Sequence, residues 1–147
     1  MKIDELHPGL ELGPSDWLTI EQSRIDAFAA STEDRQWLHT DPGRAAAGPF
    51  GATVAHSFLT LALAIKFWDE VARLEGVELT VNYGLDRVRF PAPVPAGSRI
   101  RGRFRIQQVE PVDGGVQAAV AATIEREGEQ KPACVANLLL RVVRAAS

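Results

Sequence analysis

Two side chains that could share proton-transfer chemistry stand five residues apart in the stretch DRQWLHTDP, residues 34–42. Asp34 offers a carboxylate, and His39 offers an imidazole, the side chain that most readily serves as a general base near neutral pH. Five helical steps turn about 140° past a full circle, and an odd spacing on a strand sends two side chains to opposite faces. The pair can therefore act together only if the intervening chain is irregular. From the spacing alone, an ion pair or a helix cap is the commoner role.

The flanking elements predict that irregularity. Residues 19–34, TIEQSRIDAFAASTED, have apolar residues at helical spacing, with Thr19 as a plausible cap. Asp41 before Pro42 is the order favoured at a helix start, and this second helix must end near Ala47, before Gly48-Pro49. We expect Trp37 and His39 to lie in the connection between the two helices.

The rest of the chain predicts an α+β fold. A helix from Val54 to about Leu74 is apolar almost all round in its first part, which predicts burial on every face. After Gly76, four segments with strand-like patterns follow in a row, and turn signals at residues 113–115 and 127–129 separate the last three. A strand around SDWLTI, residues 15–20, would make five. Short turns between these four strands predict that each pairs with the next, as an antiparallel meander. We expect one domain, residues 1–147, with a curved antiparallel sheet of about five strands wrapped around the long helix.

Composition excludes several classes of partner. A net charge of −3 gives no basic field for nucleic acid. The most apolar stretch, ATVAHSFLTLALAIKFW, is too polar and short to favour a membrane span, and the N-terminus lacks the apolar run of a signal peptide. A single cysteine, Cys134, excludes an internal disulfide and is expected to be a buried hydrophobe in a cytoplasmic protein. The histidines and acids lack the tight spacing of a metal site.

Two longer stretches resemble a known family over nearly the whole chain. DRQWLHTDPGRAAAGPFGATVAHSFLTLAL and NYGLDRVRFPAPVPAGSRIRGRFRI are similar to the MaoC-type (R)-specific enoyl-CoA hydratases, in the branch that includes nodulation protein N and actinobacterial dehydratases. The resemblance implies a hot-dog fold, with subunits that join their sheets edge to edge. It also implies that Asp34 and His39 hold and activate the water that adds to the double bond. Gln36-Trp37 replaces the Asn-Pro of many members and is similar to the nodulation protein N branch.

The function implied is reversible hydration of a trans-2-enoyl-CoA to the (3R)-hydroxyacyl-CoA, with no cofactor beyond the coenzyme A of the substrate. The family's thioester-binding His-Gly pair corresponds to His56-Ser57 here. Phe50, Gly51 and Ser57 are therefore the candidate substrate-binding residues, because amides at a helix start favour developing negative charge. An acyl-CoA thioesterase and a non-catalytic acyl-thioester binding module remain alternatives.

Other residues carry structural expectations. Asp41 is expected to cap a helix, His56 to make a buried hydrogen bond, and Trp37 to shield the site or pack in the core. Four arginines alternate along one strand and could meet coenzyme A phosphates or form a solvated face: Arg99, Arg101, Arg103 and Arg105. The apolar run LLLRVV predicts an exposed strand that needs a partner, and hence a homodimer.

Overall fold

The computed structural model describes all residues, Met1–Ser147. Its helices are α1 (Gln22–Thr32), α2 (Trp37–Thr40), α3 (Pro42–Ala46) and α4 (Ser57–Ala72), preceded by a 3₁₀ turn at Ile3–Glu5. Its strands are β1 (Glu11–Leu12), β2 (Leu18–Thr19), β3 (Val77–Arg89), β4 (Arg99–Val112), β5 (Gly115–Arg126) and β6 (Cys134–Arg144). No helix combines the length and the apolar character needed to cross a membrane.

The six strands form one antiparallel sheet in the order β1-β4-β5-β6-β3, with β2 also paired to β4. The turns between β4, β5 and β6 lie where the sequence predicts them, and Gly114 and Gly128 supply their positive φ angles of 75° and 80°. The expectation that all four long strands pair in succession was wrong, because β3 pairs with β6. The nine-residue connection between β3 and β4, residues 90–98, carries three prolines and crosses the sheet rather than forming a hairpin.

The long helix α4 packs against one face of this sheet. Phe67 and Trp68 of α4 are fully buried, and Trp68 meets the ring of Phe104 edge-on at 5.5 Å. A Cβ added at Gly102 of β4 would stand 2.7 Å from the Cβ of Phe67. Glycine is therefore what lets β4 and α4 approach this closely.

Burial of α4 differs from the sequence expectation in one respect. The helix begins at Ser57 rather than Val54, and one stripe of it faces outward: Phe58 is 71% exposed and Ala62 is exposed, while Leu61 and Ile65 are half-buried. The prediction of burial on every face was wrong for the single chain. The sheet covers one side of the helix and leaves an apolar stripe uncovered.

Two of the predicted helix starts have different outcomes. Thr19 belongs to β2, and α1 begins after Glu21 without a side-chain cap, so the predicted Thr19 cap was wrong. Asp41 caps α3 as predicted: its carboxylate accepts a hydrogen bond from the Arg44 amide at 3.1 Å, with Pro42 in the first turn.

Candidate active site

The position of Asp34 is set by a change in chain direction directly after α1. Helix α1 ends at Thr32, and Glu33 adopts the left-handed conformation, with φ 61°. Asp34 follows in irregular chain, whereas Trp37 and His39 lie in the four-residue helix α2 rather than in the predicted irregular connection. This irregular chain and the start of α4 together bring side-chain atoms of Asp34, His39 and His56 within 4.8 Å of one another. The Asp34 side chain is 52% exposed, so solvent can reach it.

His39 is held in one orientation. It is 8% exposed, and its Nδ1 lies 2.7 Å from the carbonyl oxygen of Val54. A carbonyl can only accept, so Nδ1 carries the proton and the neutral ring keeps its lone pair on Nε2. Gln22 of α1 also donates to the His39 carbonyl oxygen at 2.7 Å. In its neutral form the ring therefore has its lone pair on Nε2, which is what a general base requires.

His56 lies directly against this pair. It is 3% exposed, and its Nε2 donates to the Asp34 carbonyl oxygen at 2.9 Å, so the buried hydrogen bond expected from the sequence is confirmed. The same Nε2 lies 4.0 Å from Oδ2 of Asp34. The imidazole stacks on that of His39, with ring centroids 3.8 Å apart and planes 22° from parallel.

A cavity of about 390 Å³ opens beside His39 at the start of α4. Its lining is mostly apolar and includes Leu38, Phe50, Val54, Ser57, Thr60 and Phe90. Ser57 is the first residue of α4, and no side chain caps this helix start. The predicted Phe50 and Ser57 thus share a cavity wall with His39.

Gly51 is placed differently. It is exposed, it does not line the cavity, and its amide donates to the Gly48 carbonyl oxygen at 3.2 Å. Its φ of 71° makes it the turn residue before the helix. In this arrangement the Gly51 amide already donates within the turn. The Ser57 amide is therefore the better placed of the two to bind a thioester oxygen.

Comparison with known proteins decides the family. Residues 5–129 match the model of the MaoC like domain. The chain belongs to the MaoC-like dehydratase family. It is 52% identical over 136 residues to 3-hydroxyacyl-thioester dehydratase Z of Mycobacterium tuberculosis, covering 92% of this chain and 90% of the relative. It is 45% identical over 132 residues to nodulation protein N of Rhizobium meliloti, covering 88% and 82%.

Solved structures of two (R)-hydratases share the fold. The (R)-hydratase from A. caviae superposes with a TM-score of 0.76 at 20% identity, over 92% of this chain and 96% of that one. The R-hydratase PhaJ1 from Pseudomonas aeruginosa gives 0.78 at 21% identity, over 99% and 86%. The hot-dog fold expected from the sequence is confirmed.

The three clustered side chains of this candidate site are also the chain's candidate metal ligands, which their sequence spacing did not indicate. Imidazole lone pairs lie in the ring plane, and the planes of His39 and His56 are stacked only 22° from parallel. Lone pairs of stacked rings run side by side and do not converge on one ion as first-row metals require. The geometry fits proton transfer better than chelation.

Two residues around the candidate site were not found from the sequence. Gln22 of α1 donates a hydrogen bond to the His39 carbonyl oxygen in α2, and no local pattern signals that contact. Thr60 is 3% exposed and lines the cavity one turn after Ser57. A hydroxyl in an otherwise apolar helix was the available signal for Thr60.

Trp37 and the arginine row lie outside this site. Trp37 is half-buried, with the Arg44 guanidinium 4.4 Å from its ring centroid, and does not line the cavity. The arginines are paired with acids: Arg99 with Glu127, Arg101 and Arg103 with Glu125, and Arg105 with Glu11.

Glu125 shows the effect of this pairing. Burial raises the pKa of its carboxyl, but hydrogen bonds from two guanidinium groups outweigh burial and hold the pKa below its usual range. Of the two interpretations of the row, the structure supports the solvated, ion-paired face.

Proposed function

We propose that this protein catalyses the reversible hydration of a trans-2-enoyl-CoA to the (3R)-hydroxyacyl-CoA. The observation that carries the proposal is the meeting of Asp34 and His39, within 4.8 Å, beside a largely apolar cavity at the start of α4. An apolar pocket with a few convergent polar groups suits an acyl chain with one reactive end.

His39 serves as the base in this scheme. Its Nε2 lone pair takes a proton from a water molecule, while the hydrogen bond from Nδ1 to the Val54 carbonyl keeps the ring fixed as charge develops. Asp34 orients the same water and helps return a proton to the α-carbon. The two groups act as one unit in handling the protons of that water.

The amides at the start of α4 stabilise the developing charge. As hydroxide oxygen bonds to the β-carbon, the electron pair of the double bond moves towards the thioester oxygen and forms an enolate. The uncapped Ser57 N–H, at the positive end of a 16-residue helix, suits that oxygen. The proton that His39 took from the water then returns through the Asp34/His39 pair to the α-carbon, which completes the addition of one water and leaves the carbon–sulfur bond intact.

The relatives support this reaction class. The mycobacterial relative bears the name of a 3-hydroxyacyl-thioester dehydratase, and the structural neighbours from A. caviae and P. aeruginosa are (R)-hydratases. Dehydration and hydration are the two directions of one equilibrium. Either name is consistent with an Asp–His pair that handles a single water.

A thioesterase on the same fold and a non-catalytic binding module are the competing functions. An assay with crotonyl-CoA and a longer enoyl-CoA distinguishes the three functions when enoyl absorbance and free thiol are followed in parallel. The proposal predicts loss of absorbance without thiol release, together with (3R) product. Thiol release with the double bond intact would establish the thioesterase, and binding without either change would establish the binding module.

We also propose that two copies pair through β3. This strand, and not the apolar β6 that contains LLLRVV, lies at the sheet edge, because β6 is enclosed between β5 and β3. The homodimer prediction therefore named the wrong strand, because it relied on LLLRVV as the exposed strand. Four β3 side chains are about half exposed: Leu79, Val81, Tyr83 and Leu85.

A groove of about 730 Å³ continues this apolar edge onto the exposed stripe of α4, and it is lined in part by Leu61, Ile65 and Leu85. An unpaired strand with exposed apolar side chains favours pairing with another strand. Antiparallel addition of a second β3 would extend the sheet across a two-fold axis and cover the groove of each copy. A cytoplasmic location and independence from cofactors remain predictions.

A further inference from the structure

We infer that His56 is a positioning residue that holds both members of the Asp34/His39 pair through one imidazole. The inference rests on the proposed hydration reaction and adds a role that the sequence did not assign. His56 does not line the cavity beside His39, so it acts through the two side chains that meet the water.

Two different parts of the His56 ring make the two contacts. Its Nε2–H donates to the Asp34 carbonyl oxygen at 2.9 Å and so fixes the irregular chain after α1. Its face stacks on His39 at 3.8 Å. His56 lies 22 residues from Asp34 in the sequence, yet its side chain sets the relative position of the acid and the base.

The ring itself is held rigidly. His56 occupies the N-cap position of the long helix α4, and Phe28 of α1 approaches its ring with centroids 4.8 Å apart. It is therefore fixed by the long helix of the core and by the helix that ends just before Asp34. A displacement of about 1 Å at a reacting group can cost about 10²-fold in rate, which is what such a support prevents.

The second ring nitrogen of His56, Nδ1, indicates that this position holds a histidine because of the two contacts. Nδ1 of His56 is buried without a hydrogen-bond partner, the one buried side-chain polar atom in the chain of which this is true. An unpaired buried nitrogen is unfavourable for stability. Glutamine could donate to Asp34 without the ring, and phenylalanine could stack without the donor. Only an aromatic ring with an N–H at this position does both.

The experiment separates the two contacts. His56→Phe keeps an aromatic face and loses the donor, His56→Gln keeps a donor near the Nε2 position and loses the stack, and His56→Ala loses both. With enoyl-CoA as the probe, His56→Ala should lower kcat about 10–10²-fold with little change in KM, and the other two variants should fall between it and the wild type. His7→Gln, at an exposed histidine, is the matched control and should retain the wild-type rate.

A purely structural role is excluded by repeating the series in a His39→Ala background. Once the base is gone, the Asp34/His39 unit no longer works, so a displaced Asp34 costs little more, and His56→Phe and His56→Gln should add less than twofold to the loss. Thermal unfolding of each variant shows which of them fold. If His56→Ala fails to fold, the Phe and Gln variants carry the test.

Wild-type kcat in both the Phe and Gln variants would overturn the inference and leave the proposed function standing. An equal fold-loss in the His39 and His39→Ala backgrounds would also overturn it, because it would show a structural role. A wild-type protein that consumes no enoyl-CoA would overturn the proposed function, and the inference with it.

Discussion

The imidazoles of His39 and His56 are stacked, with centroids 3.8 Å apart and planes 22° from parallel. This relationship keeps their lone pairs side by side, although Asp34 would otherwise complete a three-ligand cluster. We therefore expect hydration activity to survive exhaustive dialysis against a chelator. Loss of activity on chelation, restored by adding back a divalent ion, would show that the cluster holds a metal.

Gly102 is expected to be essential for packing. An alanine Cβ there would stand 2.7 Å from the Cβ of Phe67 and 2.9 Å from the Phe104 ring, so β4 and α4 would have to separate. Overpacking of this kind typically costs about 1–3 kcal/mol of unfolding free energy. Gly102→Ala should lower the denaturation midpoint accordingly. Gly43→Ala is the control, because the nearest atom to its added Cβ is 3.6 Å away. Equal stability of the two variants would contradict this packing.

The thiol of Cys134 is expected to be inert in the folded protein. Cys134 is 1% exposed, and burial raises its pKa from 9.0 to about 11. A disulfide reagent at pH 8 should react with one thiol per chain, that of Cys134, only after denaturation.

Because the folded state binds the Cys134 proton more tightly, this group favours folding below pH 9 and loses that contribution as pH rises towards 11. The stability of Cys134→Ala should therefore fall less than that of the wild type over this range. Rapid reaction of the native protein with the disulfide reagent would contradict the buried position of Cys134.

The β3 edge is expected to form the dimer interface. Val81 is 43% exposed at the centre of the apolar edge, and a lysine there would place two like charges near the two-fold axis. Val81→Lys should shift sedimentation from dimer to monomer at micromolar concentration. Gln108→Lys, at an exposed position of β4, should not. A wild-type monomer would refute the pairing itself.

Local patterns in the sequence predicted the elements better than their arrangement. The turns at Gly114 and Gly128 were correct because each is fixed by a few neighbouring residues. The pairing of β3 with β6 depends on contacts between residues far apart, such as Val88 with Ala136, which no local period encodes. The two-residue strand β1 is too short to produce an alternating pattern.

The candidate site follows the same division. Asp34 and His39 could be named from a motif, because both lie in one short stretch of chain. The contacts of His56 with Asp34 and of Gln22 with His39 join residues 22 and 17 apart, and they exist only once α1 and α4 are packed. The outward stripe of α4 was missed for a related reason: an apolar helix surface looks the same in sequence whether its own sheet or a second copy covers it.

The turnover of Asp34 and His39 variants is the most direct test of the central claim, that these two side chains together activate the water. In the enoyl-CoA assay, Asp34→Asn and His39→Ala should each lower kcat by about 10²–10⁴-fold with little change in KM. The double variant should be scarcely worse than the slower single variant, because the two groups act as one unit. Asp41→Asn is the control and should keep nearly full turnover, since asparagine also caps α3. Near wild-type hydration by both Asp34→Asn and His39→Ala, or loss of activity in Asp41→Asn instead, would contradict the claim.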